Sequence, residues 1–400
     1  MPSVDIALRR IDAESPGDCA IADIDIFDDI AAAAPDWDHL ADGAVATPFA
    51  RRDWIDLWQR HVGARSGARP MIAVARDARG DPLFLLPLAR RERRLFTVAQ
   101  YFGGRHSQLN MGLWRPDVAT AITAADLNGA FATIARRGGV DVFLLLNQPM
   151  TWDGRPNPLA QLAHQPSPDN VFSVEFAGMR GEEAVKLRLS SALRGILKGK
   201  EKKLAKLAGY HYFRAVTADE AERLLAAFLV QKAAHLKAHG VRNAFAAPGI
   251  EDFLRAACVA PLAGREPGKP AIELHAIEGD GEVLAVMGGV ASPQRFSCMF
   301  NSYTLGEHAR WSPGMILIQH MLRHCADRGI ASYDLGAGFA QYKHNFCKTT
   351  DVLFDSALAF SERGHVAAAI CRMGLSGKRW IKSTKPLWAI VRTMRRMTLR

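Results

Sequence analysis

Between Pro70 and Ala89 the apolar positions run MIAVA, break at the polar stretch RDARGD, and resume as PLFLLPLA. That spacing predicts a strand, a tight turn and a second strand. Pro270 opens the same arrangement 200 residues later, with AIELHAI, a turn at EGDGE, and VLAVMGGVA. The elements after each hairpin repeat in order as well. The first half shows helical periodicity over about 121–136, then Gly138-Gly139 and the apolar run VDVFLLL; the second shows a helix over about 314–328, then Gly329 and IASYDL. An apolar strand fed by a helix implies a parallel pairing inside a mixed sheet. The chain therefore reads as two copies of one α/β unit.

Boundaries follow from proline and charge. The stretch Asn147–Asn170 holds five of the 20 prolines, which interrupt helices and ladders alike, so it reads as an interdomain connection. The units expected are 1–165 and 166–364, with a helical tail over 365–400. In that tail Val366, Ile370, Met373, Trp380, Ile381, Leu387, Trp388, Ile390, Val391 and Met394 are interleaved with bases. This predicts a basic amphipathic helix pair, interrupted near Gly374–Gly377 and at Pro386.

Composition narrows the class. Of the 400 residues 48% are hydrophobic and 23% charged, which is globular usage and excludes wholesale disorder. No apolar run is long enough to span a bilayer, and the N-terminus lacks the pattern of a secretory signal. The six cysteines show no C-x-x-C spacing, against a disulfide scaffold or a zinc ribbon. A reduced, cytoplasmic protein is expected. The net charge of +10 sits in the tail: Arg363 to Arg400 carries ten bases and no acid, and 51 minus ten leaves 41 bases against 41 acids. Such a chain is not a whole-surface nucleic-acid binder. Lys186–Lys206, with eight bases against one acid, is a second local asymmetry.

Candidate chemistry concentrates in 295–346. Ser312-Pro313 is a good helix start, serine as cap and proline at the first helical position. Unpaired N–H groups there could hold a diphosphate, with Gly314 allowing close approach. A strand then delivers Asp334, a glycine turn comes next (Leu335-Gly336-Ala337-Gly338), and Gln341-Tyr342-Lys343-His344 opens another helix. An acid, a phenol and an amine at such a strand edge can form a proton-transfer or anchoring set. His235/His239 and His320/His324 have metal-pair spacing but no third ligand in sequence, so no metal is expected. Ser297-Cys298 reads as core. No Walker A, G-x-S-x-G or dinucleotide fingerprint is present.

The order of hairpin, strand, Trp311-Ser312-Pro313-Gly314 helix, strand ending at Asp334, glycine turn and Tyr342-Lys343 helix resembles the GNAT-type acyltransferases. More narrowly it resembles the CelD-like family associated with bacterial cellulose and exopolysaccharide loci, itself similar to the FemABX transferases. The likeness covers about 175–362, including Ser190-Ser191-Ala192-Leu193-Arg194. It is looser in the first half, through Leu86-Pro87-Leu88 and Trp114-Arg115-Pro116. Where the family has an acid two residues before the Tyr-Lys pair, this chain has Ala340-Gln341. The resemblance implies tandem GNAT-like α/β (α+β) units, each a mixed twisted sheet flanked by helices, the first degenerate. It implies an acyl-CoA donor (acetyl-CoA above all), held by Asn301, Ser302, Ser312, Gly314 and Met315.

The function expected is N-acyl transfer to a small-molecule or saccharide amine, with Tyr342 as proton donor to the thiolate. Lys343 would anchor the acceptor or the structure, and Asp334 would orient the loop or the acceptor amine. The base is left open between Glu307, His308 and a water chain. Two alternatives stand beside this. One is a FemABX-like transferase using aminoacyl-tRNA along Lys186–Lys206, the single reading with a nucleic-acid partner. The other is a non-enzymatic scaffold of a polysaccharide-synthesis assembly. The basic tail adds an expected peripheral contact with the inner membrane face.

Overall fold

The computed structural model describes residues 20–264, 268–338 and 340–383. The tail beyond Ser383 and the first 19 residues, Cys19 among them, lie outside this description. Both predicted hairpins form. Arg69–Arg76 pairs antiparallel with Pro82–Glu92, and Glu273–Gly279 with Glu282–Ala291. The second closes through Asp280 (φ 53°) and Gly281 (φ 73°), both left-handed, as a two-residue turn matching strand twist requires. The helices predicted at 121–136 and 314–328 run Ala124–Gly138 and Pro313–Asp327.

Two sheets of the same plan result. The first runs in the order Asp23–Phe27, Arg69–Arg76, Pro82–Glu92, Thr97–Tyr101, Val142–Pro149, Leu353–Ala359, Gln165–Pro166. The second runs His211–Arg214, Glu273–Gly279, Glu282–Ala291, Arg295–Tyr303, Ser332–Ala337, Val171–Glu175, Thr349–Asp351. Each has one parallel pair, at the same place: Thr97–Tyr101 with Val142–Pro149, and Arg295–Tyr303 with Ser332–Ala337. The tandem reading of the hairpins is correct.

The boundaries expected from sequence need revision. Leu353–Ala359, placed in the second unit, pairs with Val142–Pro149 in the first sheet; Val171–Glu175, which follows the first unit, pairs with Ser332–Ala337 in the second. Val171–Glu175 thus stays with the second unit as expected, while Leu353–Ala359 crosses over to complete the first sheet. The proline-rich stretch is also more than a connection. Asn157 bonds to the Pro149 carbonyl and the Leu159 N–H, and Trp152, Leu159 and Leu162 are buried. In the tail, Glu362–Ser383 is one helix that runs through Gly374 and Gly377 without the expected interruption. A helical glycine costs about 1 kcal/mol, and packing of Ala367, Ala368 and Cys371 against the first sheet offsets it.

The units share a core. Helices Ala218–Ala238 and Ile250–Cys258 pack with the first unit's helix Arg52–Trp58, where Trp54 meets Phe253 edge-on at 5.5 Å. Gly181–Arg188, Ser191–Leu204 and Pro313–Asp327 pack in a separate cluster with the second sheet. Burying one large ring contributes about 1.5–3 kcal/mol, so this shared aromatic core couples the units strongly.

Candidate active site

Strands Arg295–Tyr303 and Ser332–Ala337 are paired only from Arg295↔Ser332 to Ser297↔Asp334. Beyond that the two strands part, and a bulge between Gly288 and Gly289 shifts the register on the other flank. Those glycines are required: a Cβ on Gly288 would meet the Phe300 ring at 2.2 Å, and one on Gly289 the Phe296 ring at 2.4 Å. The first unit splays likewise, with only Val98↔Val142 and Ala99↔Phe143 paired.

A cavity of about 250 Å³ lies where the second pair parts. Its wall includes Met287, Asn301, Ser302, Tyr303, Ser312, Gly314, Met315, Leu317, Ile318 and Tyr342. All five residues expected to hold the donor therefore line one cavity, and Tyr342 joins them. The local geometry at the helix start differs from expectation. Ser312 is left-handed (φ 54°) and makes no side-chain cap; its carbonyl accepts from Met315 and Ile316 N–H. Its hydroxyl instead accepts from Lys200 Nζ at 2.6 Å. Among the described residues no acceptor takes the Gly314 N–H. An unpaired N–H at the positive end of a 15-residue helix, beside an ammonium, suits an anion such as a diphosphate. Sequence reasoning missed Lys200: it was one base among eight, and only the packing of Ser191–Leu204 beside the turn Glu307–Trp311 singles it out.

The Tyr342 hydroxyl lies 3.5 Å from Asn301 Nδ2, and burial pushes it up to about 12. It stays protonated at neutral pH, as a proton donor must. Asp334 and Lys343 are not in the cavity wall. Asp334 is buried, accepting from Ser297 Oγ at 2.6 Å and from the Gly336 N–H at 2.8 Å, and burial raises its carboxyl to about 6. Lys343 is buried too and donates to the Gly336 and Ala337 carbonyls at 2.9 and 3.1 Å; burial lowers its ammonium. Both residues bond to the glycine turn, Asp334 to the Gly336 N–H and Lys343 to the Gly336 and Ala337 carbonyls, and so fix the chain just before Tyr342.

No carboxylate lines the cavity. Of the bases considered from sequence, Glu307 is exposed and His308 Nε2 lies 3.6 Å from it, neither of them in the wall. A different amine is adjacent: Lys232, on the helix Ala218–Ala238, donates to the Asn301 carbonyl at 3.0 Å, and burial lowers it from the ordinary lysine value. The first unit contributes as well. Gln108 Nε2 donates to the Met299 carbonyl at 3.2 Å while its Oε1 accepts from the Ala337 N–H, so one amide bridges the parted strands. Gly336 (φ 74°) makes room, since a Cβ there would lie 2.3 Å from Gln108 Oε1.

The histidine pairs resolve differently. His320 Nε2 pairs with Glu201 Oε1 at 2.6 Å and stacks on Tyr212, while His235 lies edge-on to Tyr303. Glu273, His275 and His324 come close enough for their ligand atoms to share an ion, but Arg328 already takes both oxygens of Glu273.

A sheet whose central parallel strands part over a cavity faced by a helix N-terminus defines an acyltransferase fold of the GNAT type. Residues 191–344 match the acetyltransferase (GNAT) domain, so the protein is an acyltransferase. No curated protein sequence matches the chain. Among solved structures it is similar to FemX (9% identity, 81% of this chain and 96% of that one, TM-score 0.54). It is similar also to the C-terminal domain of a protein described as a lysylphosphatidylglycerol synthetase from Agrobacterium fabrum (10% identity, 85% and 95%, TM-score 0.50). A tandem GNAT protein from the clavulanic acid biosynthesis pathway aligns at 12% identity over 85% and 99%, with a TM-score of 0.45. At these identities the likeness is one of fold.

Proposed function

We propose that the second unit transfers an acyl group, with acetyl first, from acyl-CoA to an amine on a small molecule or saccharide, as a member of the CelD-like branch. The observation that carries this is the cavity at the strand parting, which brings together Asn301, Ser302, Ser312, Gly314, Met315 and Tyr342. The donor's diphosphate rests on the Gly314 N–H and Lys200, and its thioester reaches the gap between the strands. The acceptor nitrogen attacks the thioester carbonyl carbon, forming the N–C bond as the C–S bond breaks. The nitrogen's proton passes to Lys232, which stands behind Asn301 rather than in the cavity wall and whose ammonium burial makes easier to deprotonate, and the departing sulfur takes the Tyr342 hydroxyl proton. The acid and base stand on either side of Asn301, whose side chain contacts Tyr342 and whose carbonyl holds Lys232.

Thermal shift with the full chain tests the donor class, because a ligand that binds only the native state raises Tm. Acetyl-CoA or a longer acyl-CoA is expected to raise it. A shift with aminoacyl-tRNA and none with any acyl-CoA would replace this reading with the FemABX-like one.

A further inference from the structure

The helix Glu362–Ser383 uses only part of its circumference to cover the first sheet. Gly364, Ala367 and Ala368 are buried on the side of Val142–Pro149 and Leu353–Ala359. Val366, Ile370, Met373 and Trp380 recur at helical spacing on the opposite side, exposed by 64%, 60%, 67% and 62%. Scattered apolar side chains on a surface are ordinary; a stripe along one helix is not. The same helix carries Arg363, Arg372, Lys378, Arg379 and Lys382 against the single acid Glu362.

At its first turn the helix borders a cleft of about 660 Å³ in the first unit. Arg93, Arg94, Arg136 and Arg363 line it, together with Leu95, which is 69% exposed. The two acids of the cleft are engaged elsewhere. Glu92 lies 3.6 Å from both Arg69 and Arg90, and Asp141 accepts from the Thr97 N–H and the Ser361 hydroxyl. Among the described residues none of the four guanidinium groups forms a salt bridge, although Asp141 lies near enough to Arg363 for a coulombic attraction. Arg363 belongs to both features, standing one turn from Val366 on the stripe and forming part of the cleft wall.

We propose that this face docks on an anionic phospholipid bilayer: the arginine cleft takes lipid phosphates while the stripe enters the boundary between headgroups and acyl chains. Guanidinium groups recognise phosphate oxygens bidentately, and a basic helix with an apolar stripe lies in the plane of such an interface. A nucleic acid would satisfy the arginines yet leave Val366, Ile370, Met373 and Leu95 in water. The lipid surface satisfies both. The site belongs to the first unit and is independent of the acyl-transfer reading.

Flotation of the full chain with vesicles of phosphatidylcholine, and of phosphatidylcholine mixed with phosphatidylglycerol, tests this. Binding is expected to the mixed vesicles only and to weaken as salt rises. Arg93→Ala with Arg363→Ala should lower partitioning by about thirty-fold, from the usual contribution of about 1 kcal/mol for each of two basic residues near an anionic surface. Ile370→Asn with Met373→Asn should lower it too while leaving the salt dependence. All four positions are exposed, so unchanged thermal melts confirm that the variants fold. Equal partitioning of both double variants and the wild type overturns the proposal, as does equal binding to the two vesicle types. Retention on tRNA or duplex DNA without vesicle binding also overturns it, and assigns the arginines to a nucleic acid. Protection by inorganic phosphate without vesicle binding would reduce the cleft to an isolated anion site and equally overturns the docking surface.

Discussion

Half-buried Tyr342 and fully buried Asp334 are both ionisable groups near the strand parting, yet their surroundings assign them different work. The tyrosine faces the cavity, with its one polar contact at the limit of hydrogen-bond reach, so its proton is available to a leaving group. Tyr342→Phe keeps the ring, so acyl-CoA affinity should hold while kcat falls by about 10²–10⁴-fold, the usual range for a lost general acid. Wild-type turnover would reduce the tyrosine to packing. Asp334 has both oxygens engaged, one by Ser297 on the neighbouring strand and one by the Gly336 N–H of the turn, and Asn can keep both contacts. Because its folded carboxyl sits near 6, the folded state holds that proton more tightly than the unfolded chain over about pH 4–6. Its contribution to stability therefore falls as pH rises through that window. Asp334→Asn should melt at or above the wild type at pH 8 with turnover retained; a large loss of turnover at full stability would return the carboxylate to the chemistry. Tyr342 was legible in sequence because the Tyr-Lys pair follows a glycine turn. Lys232 was not, since it reaches Asn301 from 69 positions away, and a base on an amphipathic helix reads as solvated until the strand beside it is known.

Among elements, the helix Pro313–Asp327 carries the most chemistry, with a different role at each end. Its start was legible from Ser-Pro-Gly, but not the left-handed Ser312, which the packing of Glu307–Trp311 and the reach of Lys200 impose from outside. Its last turns hold His324 against the buried His275 on strand Glu273–Gly279, and Arg328 paired with Glu273. Burial holds both imidazoles below the ordinary value, His324 down to about 3. Burial alone would raise the Glu273 carboxyl, but His275, with Nε2 3.6 Å away, and the hydrogen bonds from Arg328 outweigh it and hold the group well below the carboxylate range. As pH falls through about 6.5 the unfolded chain takes up protons on both histidines and the folded one does not, so stability falls. Glu273 adds to the loss in the acid range below its unfolded value. Tm should therefore drop between pH 7 and pH 5, and His324→Leu should flatten that slope. A Tm unchanged over the same interval would mean that the imidazoles protonate in place.

At the scale of the molecule, the repeat of hairpin, helix and strand was readable because apolar spacing depends only on local residues. The crossing of the last strand into the first sheet was not, because Leu353–Ala359 is equally apolar whichever sheet receives it, and the choice is made by pairing with Val142–Pro149. One consequence is that the first unit is structural to the site, through Gln108 between the parted strands. Gln108→Leu leaves the Met299 carbonyl and the Ala337 N–H without this partner, so it should lower kcat more than it weakens acyl-CoA binding. An unchanged kcat would show that the strands hold their parting without the first unit. The central claim is that acyl-CoA enters the second unit at the turn Ser312–Met315, and calorimetry on the full chain tests it most directly. A Cβ on Gly314 would lie 3.1 Å from the Tyr303 ring, which is partly exposed and can yield, so Gly314→Val should fold. The added side chain covers the free N–H, and loss of one charge-assisted hydrogen bond weakens acetyl-CoA binding by about tenfold or more. The account predicts that loss in Gly314→Val with an unshifted melting curve; equal affinity in the two proteins would contradict it.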